Sequence, residues 1–107
     1  MKKKIIFVIF ISITVFFTGC KTEEVRYYRV LYIGNGNTAG ETPVDTKNYT
    51  TGEKAVVMDE HTLTRDGYTF SHWNMNRDNS GAKFSPGDTI EIADHYIYLY
   101  AIWEKNS

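Results

Sequence analysis

The chain has 107 residues, enough for one small domain built round one modest core. It carries 12 Lys and Arg against 13 Asp and Glu, a net charge of −1, and a single cysteine. These figures exclude a two-domain enzyme, a long solenoid, a polytopic membrane protein and a disulfide scaffold.

In chain order, Lys2, Lys3 and Lys4 come first, followed by an apolar run from Ile5 to Phe17 interrupted only by Ser12 and Thr14. That run of 13 residues fits the core of a signal peptide, whereas a spanning helix needs about 20. It closes on Phe17-Thr18-Gly19-Cys20, which resembles the lipobox of bacterial lipoproteins: an apolar residue, two small ones, then cysteine. The resemblance implies that residues 1–19 are removed and that the Cys20 thiol takes up a diacylglyceryl group. Two or more acyl chains then anchor the protein stably, at about 0.8 kcal/mol per buried methylene. Three basic residues leave with the leader, so residues 20–107 carry nine basic and 13 acidic groups, a net of −4. A mildly acidic domain is a poor match for nucleic acid, whose phosphates demand a basic surface, and for electrostatic adhesion to anionic lipid. The anchor must therefore hold the chain unaided.

Residues 20–26 form the lipidated cysteine and a short polar tether, of which Lys21 to Arg26 reach about 20 Å when extended. From Tyr27 onward the pattern is one of strands and turns. Tyr27 to Ile33 is rich in β-branched and aromatic residues and ends in the turn former Gly34-Asn35-Gly36-Asn37. A loop runs through Thr42-Pro43 to Tyr49, and Thr51-Gly52-Glu53 turns the chain into a short strand over Lys54 to Met58. Asp59 to Asp66 has too little apolar periodicity for an amphipathic helix, although Asp59 could cap one turn bearing Leu63. Gly67 leads into a strand from Tyr68 to Met75, and Asn76 to Gly81 is a loop made almost wholly of turn formers. Phe84, the turn Ser85-Pro86-Gly87-Asp88 and a strand over Thr89 to Ile92 follow. Tyr96 to Trp103 is the clearest strand. Ile97, Leu99, Ala101 and Trp103 alternate with Tyr96, Tyr98, Tyr100 and Ile102, which predicts a central strand covered on both faces.

An ordered set of these residues resembles the internalin B-repeat, or Listeria–Bacteroides repeat. The set begins with Asn35-Gly36, Pro43, Tyr49 and Gly52, and continues through Gly67-Tyr68-Thr69-Phe70 and Trp73-Asn74. It ends with Asp78, Ser80-Gly81, Phe84, Pro86-Gly87-Asp88, Leu99-Tyr100-Ala101 and Trp103. The resemblance implies an α+β, mostly β domain over residues 27–105: a small β-grasp-like unit with a mixed sheet of about four strands and little helix. It also implies a cell-surface, non-catalytic interaction module. His72 stands where the family usually has glycine, which within a strand often marks a bulge or a close backbone approach, so the resemblance does not fix the backbone here.

The remaining chemistry is sparse. His61, His72 and His95 lie at no paired spacing with one another or with cysteine, as a zinc site would require. Asn76-x-Asp78-x-Ser80-Gly81 imitates the start of a calcium loop, but its twelfth position is Gly87 and not the bidentate glutamate. No nucleophile elbow is present, and the carboxylate pairs lie in polar stretches, so neither an enzyme nor a cofactor is expected. Phe70, Trp73, Leu99 and Trp103 are the expected core. All eight tyrosines follow Cys20, and Tyr96, Tyr98 and Tyr100 together present more aromatic surface than a small core can absorb. They are the candidate binding residues, for a protein partner or alternatively for a glycan stacked on tyrosine and tryptophan. The expected location is the bacterial cell envelope, lipid-anchored and surface-exposed.

Overall fold

The structure, a computed structural model, describes residues 24–107. Six strands follow in order: β1 (Val30–Ile33), β2 (Lys54–Val56), β3 (Tyr68–Asn74), β4 (Lys83–Phe84), β5 (Thr89–Glu91) and β6 (Ile97–Lys105). They form a four-stranded sheet in the order β1-β6-β3-β4 and a two-stranded ribbon of β2 with β5. The large sheet is mixed: β1 runs parallel to β6, with Val30 opposite Ile97, while β3 is antiparallel to both β6 and β4. The domain is thus mostly β with a mixed four-stranded sheet, and no helix occurs among the described residues. Accordingly, none of the described residues belongs to a helix long and apolar enough to cross a membrane.

The core lies on one side of the large sheet. Val30 and Tyr32 of β1, Ile97, Leu99 and Ala101 of β6, and Trp73 of β3 point into it. The ribbon and its flanks close it with Ala55, Val57, Ile90 and Ile92, and Leu63 and Tyr49 enter from the loops. Trp73 and Leu99 are fully buried, as expected, whereas Phe70 and Trp103 are half-buried and pack against the core's margin. An aromatic chain joins them: Tyr32 to Trp73 at 4.7 Å, Trp73 to Phe70 at 5.1 Å and Phe70 to Trp103 at 6.0 Å, all edge-on. Edge-on contact sets the positive ring edge against the negative face. Each polar handle on these rings is satisfied. Trp73 Nε1 donates to Met58 O at 2.8 Å, Trp103 Nε1 to Gly34 O at 2.9 Å, and Tyr32 Oη accepts from Met58 N at 2.9 Å.

One expectation needs correction. β6 is central, between β1 and β3, but only one of its faces is covered. Ile97, Leu99 and Ala101 are buried, Tyr98 is 47% exposed and Tyr100 and Ile102 are half-buried. Sequence cannot distinguish a second buried face from an aromatic one, because a tyrosine hydroxyl lets the ring face water at little cost.

The backbone beside His72 is irregular. Phe70 pairs with Trp103 and His72 with Ile102, so Ser71 is an extra residue in a β-bulge. The stretch Asp59 to Asp66 is also irregular: His61 has φ of 58°, its amide bonds Asp59 Oδ1 at 2.9 Å, and Thr64 bridges to Ala39. Close approach of these two segments explains Gly40, where φ is 84° and a Cβ would run into the Thr62 carbonyl.

Candidate functional site

The face of the large sheet away from the core is divided by the loop 76–81. On this face the registers place His72 beside Ile102, Asn74 beside Tyr100, Tyr98 beside Leu31 and Tyr100 beside Ile33. His72 and Asn74 are nevertheless buried, because the loop folds back over the β3 half and closes on them.

Asn74 anchors that loop. Its Nδ2 donates to Asn79 Oδ1 and to Gly81 O, both at 3.0 Å. Its Oδ1 accepts from the amides of Asn76 and Gly81, both at 2.9 Å. All four hydrogen-bonding positions of the amide are therefore used. The His72 ring spans from Ser71 Oγ to Asn79 Oδ1, 2.8 Å on each side. From the far side Asn35, held at φ of 54°, donates Nδ2 to Arg77 O at 3.0 Å and to Ala101 O at 2.9 Å. Within the loop, Ser80 bonds Asp78 Oδ1 through both its amide at 3.2 Å and its hydroxyl at 2.6 Å. Those bonds hold the exposed Asp78 carboxyl below the usual carboxylate range.

The β1–β6 half stays open. Leu31, Ile33, Tyr98, Tyr100 and Ile102 form a strip there, half-buried or exposed. At its end the Arg77 guanidinium lies 5.6 Å from the centre of the Tyr100 ring. Beside it is a groove of about 460 Å³ lined by Met75, Asn76, Arg77, Asp78, Ser80 and Tyr100. Hydrogen-bonding groups thus stand next to an aromatic ring. A shallow surface of this kind can hold a chain or a sugar ring.

A search for families places residues 28–102 in the Listeria–Bacteroides repeat domain, most of the chain's length. The chain belongs to the Listeria–Bacteroides repeat family. It is 41% identical over 84 residues to a protein of Evansella cellulosilytica named "Putative membrane protein", covering 78% of this chain and 12% of the relative. A second protein of that organism, "Putative Gly-rich membrane protein", is 40% identical over 83 residues, covering 78% of this chain and 10% of the relative. The repeat thus spans about a tenth of each of these relatives. No solved structure matches it significantly.

Of the three candidate tyrosines, the repeat brings two together. Tyr98 and Tyr100 share the open strip, whereas Tyr96 precedes β6 and turns its ring edge-on to Tyr28, 6.1 Å away. Phe17, Thr18, Gly19 and Cys20 lie outside the described residues. The histidines are separate: His61 is exposed, His72 is part of the loop anchor, and His95 Nδ1 lies 2.9 Å from Tyr96 O. Among the described residues no three His, Cys, Asp or Glu side chains are grouped as a metal site would require.

Sequence reasoning missed Leu31 and Ile33 as parts of the strip and Arg77 at its end. The β-pattern of Leu31 and Ile33 was legible, but only the parallel register puts them beside Tyr98 and Tyr100. It also missed the group around Tyr49. The Tyr49 hydroxyl donates to Asp45 Oδ2 at 2.6 Å, and the Tyr49 and Tyr28 backbones bond each other in both directions at 2.8 Å. Burial, then the Asp45 carboxylate, push the Tyr49 hydroxyl's pKa well above its ordinary value, and burial raises that of Tyr32.

Proposed function

We propose that the protein is a membrane-anchored bacterial envelope lipoprotein, held by acyl chains on Cys20, whose single repeat is a non-catalytic, surface-exposed interaction module. The observation that carries the reading is the open strip of Leu31, Ile33, Tyr98, Tyr100 and Ile102 on a sheet whose other face already forms the core. An apolar and aromatic strip with a polar rim is the composition of a protein contact. The lipobox residues and the relatives' names as membrane proteins support the anchoring.

Two experiments on the full chain test this reading. Cys20→Ala should abolish acyl labelling and detergent partitioning; persistence of both would defeat the anchor. A photo-crosslinking residue in place of Tyr98, introduced in intact cells, should give discrete protein adducts that a Tyr100→Ser change diminishes. Protease treatment of the same cells should remove the domain if it faces outward.

A second reading, carbohydrate binding, is favoured by the groove beside Tyr100, where Asn76, Arg77 and Asp78 could bond hydroxyls of a sugar stacked on the ring. Reproducible glycan-array binding that is lost in Tyr100→Ala, with no protein adducts, would select it over the first.

A further inference from the structure

Tyr27 and Tyr96 stand apart from the strip. They are 56% and 44% exposed, and Val25, two residues before Tyr27, is 63% exposed. Because β1 and β6 run parallel, with Val30 opposite Ile97, the residues that precede both strands lie at the same end of the sheet. Ile97 N donates to Arg29 O at 3.0 Å there, and the Tyr28 ring supports Tyr96 edge-on. The same end leads back along the sequence toward Cys20, while the end of β6 lies opposite.

We propose that this end of the domain seats on the lipid surface, with Tyr27, Tyr96 and Val25 at the level of the phospholipid headgroups. The inference rests on the reading of Cys20 as a lipid attachment point. Six residues separate Tyr27 from Cys20, a reach of at most about 25 Å from Cα to Cα, and Val25 is closer still. Tyrosine is the residue for such a boundary, since its ring is apolar and its hydroxyl stays wet.

Charge does not supply the attraction. Glu24 and Arg26 pair at 4.0 Å, and Asp94 and His95 precede Tyr96. Seating driven by aromatic burial should therefore occur on uncharged headgroups and survive added salt. Seated in this way, the domain holds the far end of the strip away from the membrane, where a partner can reach it.

The test uses the full chain, purified with its anchor and reconstituted into phosphatidylcholine vesicles containing a headgroup-level nitroxide lipid. Acylation consumes the only native thiol, so His95→Cys and, separately, Lys105→Cys at the other end of β6 accept an environment-sensitive fluorophore. The label at position 95 should lose most of its fluorescence to the nitroxide and the label at 105 should not. Adding Tyr27→Ser and Tyr96→Ser to His95→Cys should restore the fluorescence, with acyl labelling and tryptophan emission unchanged. Intact acylation with no quenching at 95, equal quenching at both positions, or quenching confined to anionic vesicles would overturn the seating alone. Absence of acyl label on the unaltered chain would overturn the lipoprotein reading and the seating with it.

Discussion

Replacing Asn74 with alanine tests how far the loop 76–81 depends on one buried amide. The change removes two donors and two acceptor positions from a residue that is 1% exposed. The amides of Asn76 and Gly81 lose their acceptor, and the Gly81 carbonyl loses its donor. A buried group left unsatisfied costs about 1–3 kcal/mol; three such groups at the lower bound cost about 3 kcal/mol. A domain of this size is stable by only about 4–12 kcal/mol, so the effect is a large share of the whole. With a urea dependence of about 1 kcal/mol per molar, the unfolding midpoint should fall by about 3 M. Trp73 and Trp103 report the transition by fluorescence, and amide exchange at Asn76 and Gly81 reports the loop itself. Asn74→Asp, which at a pH where the aspartate is neutral keeps an acceptor and one donor in place of two, should be intermediate. An unchanged midpoint together with unchanged protection of those two amides would refute the reasoning.

Three further outcomes are expected. Gly40→Ala, which combines φ of 84° with a Cβ that meets the Thr62 carbonyl, should destabilise by more than Gly52→Ala, where φ is 95° but the space is open; the second should cost about 1 kcal/mol, and equal midpoints for the two would argue against close packing at Gly40. Leu99→Ala opens a cavity at a fully buried central position and should cost about 3–4 kcal/mol, read as a fall in melting temperature by circular dichroism; a loss below 1 kcal/mol would mean that Leu99 does not fill the core as described. The pKa values of Tyr49 and Tyr32 are raised in the folded state, so the stability this provides is complete below the unfolded value near 10 and is lost as pH rises through the folded values. Urea midpoints should thus be insensitive to these two groups up to about pH 10 and fall above it, and Tyr49→Phe should weaken the alkaline fall. An identical alkaline fall in Tyr49→Phe would remove Tyr49 from the explanation.

Much of the fold was legible because its signals are local. Asn35-Gly36, Gly52, Gly67 and Gly87 all adopt positive φ, and turn chemistry marks such positions whatever the rest of the chain does. The β6 alternation likewise identified Ile97, Leu99 and Ala101 as one buried row. Phe70 and Trp103 were expected in the interior but lie at its margin, because hydrophobicity ranks residues for burial without saying how many a small core can hold. The anchoring role of Asn74 was hidden for a different reason. An asparagine in a strand reads as a weak strand former until the chain that returns over it is known.

The candidate site divides in the same way. Sequence alone determined that most of the chain is one repeat of a known family, mostly β and rich in tyrosine, and it supplied the patterns from which a leader and a lipid attachment site are proposed. Those are properties of composition, order and local turn chemistry, and they need no coordinates. Only the tertiary structure decided which residues flank the tyrosines, since the parallel pairing of β1 with β6 is a contact between segments more than sixty residues apart. That pairing sets Leu31 and Ile33 beside Tyr98 and Tyr100, and it sends Tyr96 to the end of the sheet where the tether begins. Alternation along a strand tells which side chains share a face; the register with distant strands tells what that face is made of, and whether anything covers it.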